Sequence, residues 1–215
     1  MMNKKIVSSL IATALLTTGF TSSALAHQAG DIIVRAGVAV VAPNESSQDV
    51  LGLGEFGVED NTQLGLNFGY MLTDNIGIEL LAATPFSHDI TLGELGKIAE
   101  TKHLPPTLVA QYYFGDAQSK LRPYIGAGVN FTNFFDNEFT NDLNGALTDL
   151  SMSNSWGLAA QVGLDYQIND SWLVNASVWY AQISTDVKFN FVGDAQKVET
   201  DIDPWVYMIS VGYTF

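Results

Sequence analysis

Cysteine is absent from the 215 residues. That absence excludes a disulfide scaffold, a zinc–thiolate centre and a thiol nucleophile, though it does not exclude export. Basic residues are scarce: nine Lys and Arg stand against 23 Asp and Glu, a formal charge of −14. Nucleic acid, whose phosphates need a positive surface, is therefore not a partner. Charged residues of both signs make up 15%, against roughly 25% in soluble domains. After Ala26 no apolar run approaches the ~18 residues of a membrane-spanning helix. What is present is 47% hydrophobic residues, 11% aromatics and 19 glycines. Such a chain is neither a helical membrane protein nor a disordered acidic tail. Its length suits one domain or two small ones.

The first 26 residues have the organisation of a secretory signal peptide. Lys4 and Lys5 give a positive start, Ile6 to Phe20 an apolar stretch, and Ala24-Leu25-Ala26 the small-x-small site that precedes cleavage. Cleavage before His27 leaves residues 27–215. Without Lys4 and Lys5, seven basic residues then face 23 acidic ones, a formal charge of −16.

The remainder alternates with a period of two, the pattern of strands with unlike faces. Trp205, Tyr207, Ile209, Val211, Tyr213 and Phe215 form one face of the last segment, and Val206, Met208, Ser210, Gly212 and Thr214 the other. Comparable alternation predicts eight strands, at about 31–42, 62–72, 76–85, 103–114, 122–134, 155–167, 171–185 and 203–215. Each is long enough to cross a bilayer at a tilt, which takes about 9–11 residues. Short connections at 73–75, 115–121 and 168–170 alternate with long ones at 43–61, 86–102, 135–154 and 186–202. Short turns at one end and long loops at the other describe an all-β, eight-stranded, antiparallel up-and-down outer-membrane barrel with both termini periplasmic. A helical turn is expected within Asn141–Leu150.

A soluble lipocalin-like barrel also has eight strands, but with its apolar face inward. Here the weaker face is rich in Gly, Ala, Ser, Asn and Gln, too polar to be a sole core. The stronger face carries aromatics near strand ends, in the pairs Trp156 and Tyr166, Trp172 and Tyr180, and Trp205 and Tyr213. That spacing fits two interfacial girdles around a lipid-facing band. The alternating aromatic and aliphatic ending at Phe215 looks like the terminal-strand signature by which outer-membrane barrels are inserted.

Several stretches carry a family resemblance. They are Asn61-Thr62-Gln63-Leu64-Gly65-Leu66, Thr73-Asp74-Asn75-Ile76-Gly77, and the run from Glu79 to Phe86. Further along come His103-Leu104-Pro105-Pro106-Thr107, the run from Arg122 to Gly128, and Asp203-Pro204-Trp205-Val206. Through them the chain resembles the outer membrane protein W family along essentially its whole length after the leader. The resemblance implies an eight-stranded barrel with a narrow, unusually hydrophobic lumen that admits small apolar molecules and releases them sideways into the bilayer. It also implies that a Leu and a Trp, matching Leu81 and Trp179, narrow the lumen.

Register alone puts Leu81, Val109, Tyr113, Trp179 and Met208 on inward faces, where a general diffusion porin would place charges. An eight-stranded barrel has room for little beyond side chains or one small ligand, and an apolar lining with a few polar groups suits a small hydrophobic solute. Arg35, Glu79, Gln111, Gln161 and Asp165 also fall inward. Buried charges must pair or be hydrated, so Arg35 with Glu79 or Asp165 reads as a polar plug of the periplasmic half rather than an ion relay. The paired Pro105-Pro106 removes two ladder donors, which leaves either a gap in the wall or a loop-shielded bulge.

No enzyme chemistry is evident. Ser87-His88-Asp89 holds the letters of a triad, but chain neighbours do not converge as a triad must. His27, His88 and His103 lack metal-ligand spacing, although His88, Asp89 and His103 could meet if loops fold together. No cofactor is expected. The expected partners are outer-membrane lipids, small hydrophobic solutes and divalent cations at the loops, where 17 carboxylates face only Lys97, Lys102, Lys188 and Lys197. The leading function is a narrow channel for small hydrophobic molecules. The alternative is a plugged barrel that displays acidic loops to other surfaces.

Overall fold

The computed structural model describes residues 27–215, so the expected leader lies outside the described residues. Among the described residues fifteen strands occur, beginning with β1 (Ile32–Ala42), β2 (Ser46–Ser47), β3 (Phe56–Val58), β4 (Asn61–Met71), β5 (Ile76–Ala83), β6 (Phe86–Leu92), β7 (Lys97–Leu104) and β8 (Thr107–Tyr113). After these come β9 (Leu121–Phe139), β10 (Leu147–Met152), β11 (Ser155–Gln167), β12 (Trp172–Ala181), β13 (Ser184–Phe191), β14 (Asp194–Asp201) and β15 (Trp205–Thr214).

Eight of them make the wall. β1, β4, β5, β8, β9, β11, β12 and β15 pair in sequence with antiparallel neighbours, and β15 returns to β1. Apart from the upper end of β5, closure leaves the wall no open edge, so its backbone groups are satisfied inside the sheet, as a bilayer demands. Tight turns join the strands at one end. Thr73 Oγ1 accepts from the Asn75 and Ile76 amides, and Asn169 Oδ1 accepts from Ser171 and Trp172. These side chains imitate backbone turn bonds and hold the strands in register.

The alternation read from sequence has the expected sense. Arg35, Asn67, Glu79, Val109, Gln161, Asn175 and Met208 are buried inside, while Val38, Leu64, Leu80, Leu158, Val162 and Ile209 are exposed outside. Aromatics meet across strands at two levels. Trp172 packs edge-on against Tyr213 near the short turns, and Tyr180 meets Trp205 at a tilt at the far end. Such girdles flank the apolar band of an outer-membrane barrel.

Four expectations need correction. The segment 103–114 is two strands, broken at Pro105-Pro106, where two missing amides interrupt the ladder. The segment 171–185 ends at Ala181 and restarts as β13. The long connections are not simple loops. β3, β6, β7 and the upper part of β9 form one sheet beyond the wall, and β2, β10, β13 and β14 form another. At about 3.3 Å per residue the 19 residues of β9 run about 60 Å, more than twice the ~25 Å apolar band. β9 therefore pairs with β8 low in the wall and with β7 above it. In place of the helical turn expected within Asn141–Leu150 stand turns followed by β10. Positive φ at Leu143, Asn144 and Gly145 is incompatible with a right-handed helix there.

The two outer sheets enclose their own apolar core. Phe56, Ile90, Leu92 and Ile98 of one meet Leu147, Val187, Phe189 and Val198 of the other. The β13–β14 hairpin turns through Val192 (φ 51°) and Gly193 (φ 88°), the double positive φ of a two-residue turn that matches strand twist.

A closed ladder resists detergent. The barrel of residues 27–215 is expected to migrate differently on gels before and after boiling, with a far-UV spectrum dominated by strand. A helical spectrum from the folded sample would refute the architecture.

Candidate lumen site

The interior has three storeys. The uppermost lies in the cap formed by the outer sheets. A cavity of about 30 Å³ there is lined by Leu51, Leu53, Phe56, Ile90, Phe139, Leu143, Phe189 and their apolar neighbours, with His88, Thr101, His103 and Thr200 as its polar side chains. Leu51 and Leu53 are exposed and mark its mouth.

Below it lies a second cavity of about 30 Å³, lined by Ala39, Val41, Leu81, Phe86, His103, Trp179, Ala181 and Ile183. Leu81 and Trp179 therefore do face one space, and Val109 and Met208 pack in the same apolar cluster. The Trp179 indole donates to Ser177 Oγ at 3.3 Å, which satisfies its one polar atom and holds the ring. Pro105, Thr107 and Asn130 line the cavity on the wall side together with Ala82 and Ala83. The β5–β8 ladder stops at Leu81–Thr107, so the end of β5 is unpaired on that side, beside the proline break. Asn130 Nδ2 donates to Thr107 Oγ1 at 2.8 Å and to the Pro105 carbonyl at 3.3 Å, which pins the rim of the break.

His103 lines both cavities. Its ring stacks on His88 with centroids 4.8 Å apart and planes 4° from parallel, and it meets Phe86 and Phe134. Burial holds the His103 imidazole down to about 3, and the neighbouring His88 pushes it the same way. Burial also lowers His88, against the opposing pull of the Glu59 carbonyl, Asp60 and Asp89. Both rings are neutral at neutral pH.

The lowest storey is closed. Arg35 Nη1 donates to Glu79, while its Nη2 donates to Asp165 at 2.5 Å and to Tyr113 Oη at 2.9 Å. Register left the choice between Glu79 and Asp165 open, and the guanidinium reaches both. Gln111 donates to Glu79 at 3.0 Å and to Gln161 at 2.8 Å, and Gln161 donates to Glu79 at 3.0 Å. Asn175 joins Tyr124 at 2.9 Å to Asp165 at 2.7 Å. Arg35, Glu79 and Asp165 are essentially inaccessible to solvent. Beneath them Ile33, Met71, Tyr113, Tyr124 and Leu173 pack together.

Tyr113, expected among the lumen-lining residues, thus belongs to the closed storey. Sequence reading missed Tyr124, Asn175, Arg122 and His27 as members of it. His27 Nε2 lies 2.6 Å from Asp165, and Arg122 donates to the His27 carbonyl at 3.1 Å and the Asp74 carbonyl at 2.8 Å. Inward parity on β9 and β12 could have found Arg122, Tyr124 and Asn175. Gly163 makes room for the Tyr124 ring, since a Cβ there would stand 2.2 Å from Tyr124 Cζ.

Ser87-His88-Asp89 lies on β6, where alternation sends His88 inward and its two neighbours to the other face. Ser87 Oγ donates to Glu100 at 2.7 Å and Asp89 pairs with Lys97 at 2.7 Å, so neither reaches the imidazole pair. His88 and His103 do meet, but Asp89 does not join them. Among the described residues no three His, Asp or Glu side chains converge as metal ligands. Some loop carboxylates bind lysines, as in Lys102–Asp136 at 3.2 Å and Lys197–Asp186 at 2.9 Å, and Asp49 caps a turn at the Gly52 and Gly54 amides.

Residues 28–215 match the OmpW family. Outer membrane protein W of Vibrio cholerae is 55% identical over 209 residues, covering 94% of this chain and 96% of that protein. The crystal structure of outer membrane protein OprG from Pseudomonas aeruginosa superposes with a TM-score of 0.84 at 43% identity, covering 89% of this chain and 98% of that one. The solution structure of Escherichia coli outer membrane protein W is 56% identical, with a TM-score of 0.63, and covers 88% of this chain and 100% of that one.

Proposed function

The chain belongs to the OmpW family and is an integral outer-membrane barrel, and from that premise we propose that it is a narrow channel for small hydrophobic molecules. The observation that carries this reading is the apolar path itself. Two cavities that share His103 in their linings succeed one another from the exposed Leu51 and Leu53 to Leu81 and Trp179. Each has the free space of only one or two waters, so a solute advances as the lining side chains part. Bulky or hydrated solutes are excluded by size and by the missing polar lining.

Below Trp179 the way down is shut by the Arg35–Glu79–Asp165 network, which acts as the plug. The remaining exit is lateral, at the proline break where Ala82, Ala83 and Pro105 line the lower cavity. An apolar solute passing there moves from an apolar cavity into lipid without crossing water, which the hydrophobic effect favours.

Leu81→Ala with Trp179→Ala should raise the uptake of a small apolar dye into proteoliposomes severalfold and leave sugar uptake at background. The two truncations remove bulk from the lining of the lower cavity, which the wall break also lines. Unchanged dye uptake in a correctly folded double variant would reduce both residues to packing. Absence of dye uptake from both proteins would favour a plugged barrel that displays its cap.

A further inference from the structure

Three buried polar atoms among the side chains that line the cap cavity have no hydrogen-bond partner within the protein: His88 Nε2, His103 Nε2 and Thr200 Oγ1. All three residues are at most 4% exposed, and the rest of the cavity is almost wholly aliphatic and aromatic. Buried polar atoms in folded proteins are nearly always paired, and each exception calls for a physical reason. Three on the lining of one apolar cavity point to a partner brought in by an occupant.

The chemistry of that partner follows from the tautomer of His88. Its Nδ1 lies 2.6 Å from the Glu59 carbonyl oxygen. A carbonyl only accepts, so Nδ1 carries the proton, and in the neutral ring Nε2 presents a bare lone pair. The site therefore asks for a donor. Thr200 Oγ1 can give or accept a hydrogen bond, and a neutral His103 adopts either tautomer. No Lys or Arg lines the cavity, so a carboxylate would enter without a counter-charge. An ammonium would be stripped of water among apolar groups. An ether or ketone offers only lone pairs to a lone pair. A hydroxyl group donates and accepts at once.

We propose that the cap cavity selects small apolar molecules bearing one hydroxyl group, an alcohol or a phenol, through His88, His103 and Thr200. The proposal rests on the channel reading above and deepens it by naming the class of solute. The cavity holds the hydroxyl and its first carbons, and the apolar remainder runs past His103 toward Leu81 and Trp179.

The test uses the mature protein in lipid nanodiscs and three soluble probes of one shape: phenol, anisole and benzene. Binding is followed by the imidazole nitrogen shifts of His88 and His103, with empty nanodiscs as the partition control. Phenol should bind about tenfold more tightly than anisole, the value of one well-made hydrogen bond, and should move the His88 Nε2 resonance. His88→Phe with Thr200→Val should bring phenol to the anisole level and leave anisole unchanged. Thr200→Val alone, which replaces a hydroxyl by a methyl of similar size, serves if the double variant does not fold. Equal affinities for phenol and anisole in the unaltered protein would overturn the hydroxyl site while leaving the apolar channel standing. Absence of binding by all three probes would overturn both.

Discussion

Arg35→Leu is expected to destabilise the barrel by about 3–5 kcal/mol, the usual consequence of removing one partner from a buried charge cluster. The guanidinium donates to Glu79, Asp165 and Tyr113, and none of these groups reaches solvent. Without it, two carboxylates remain inside a wall whose outer face is lipid. The change should appear as a lower urea midpoint for unfolding in lipid vesicles. Adding Glu79→Gln and Asp165→Asn to Arg35→Leu should recover most of the loss, because the penalty lies in the stranded charges rather than in the missing contacts. Single-channel recordings should also show small-ion conductance in Arg35→Leu well above that of the unaltered barrel. An unchanged midpoint with unchanged conductance would mean that the network is neither buried nor a plug.

The eight wall strands were legible because a bilayer punishes any other pattern. Lipid-facing positions must be apolar, inward positions need not be, and the strict period of two in Trp205–Thr214 or Ser155–Gln167 follows from that asymmetry. Glu79, Leu81 and Trp179 could be placed inward for the same reason. Which inward groups touch was not legible. Contact depends on the stagger between strands, as when Arg35 on β1 reaches Glu79 on β5 and Asp165 on β11, 44 and 130 residues away.

The cap was concealed by its composition. Connections rich in Asp, Glu and Gly read as loops. Yet Phe86, His88, Ile90 and Leu92 alternate as strictly as any wall strand, and so do Thr185, Val187 and Phe189. In the wall the apolar face looks outward at lipid; in the cap it looks inward at the opposing sheet, while the charged face meets water. The reversal occurs within single strands. On β9, Ile125 and Val129 face lipid, whereas Phe134, of opposite parity, joins the interior cluster. The cap's part of the apolar path therefore exists where the chain leaves the membrane and turns its apolar residues inward, and Leu81, Val109, Trp179 and Met208 continue it into the upper wall. Lower in the barrel those residues are committed to lipid, and the interior is left to Arg35 and its partners.

Acid is expected to loosen the cap before it affects the wall. Burial, reinforced by His88, holds the His103 imidazole at about 3 against 6.5 in the unfolded chain, and His88 is lowered in the same direction. Above about pH 6.5 the rings are neutral whether the cap is open or closed, and its stability is complete. As pH falls below 6.5 the open form takes up protons that the closed form refuses. Stability then falls by up to about 1.4 kcal/mol per pH unit for each ring, and for His103 the fall ends near pH 3. The groups facing the pair only partly offset this, since Asp60 and Asp89 favour a charged His88 but none supports a charged His103. Between pH 6.5 and 5 the opening free energy of β6 and β7 should drop by about 2 kcal/mol from His103 alone. Amide exchange corrected for its intrinsic pH dependence measures that drop, and the wall strands β11 and β12 serve as the internal reference. His103→Phe keeps a flat ring between Phe86 and Phe134 but cannot take up a proton, so its cap should lose less protection over the same interval. If β6 and β7 lose as much protection in His103→Phe as in the unaltered protein, the acid sensitivity does not come from the His103 imidazole.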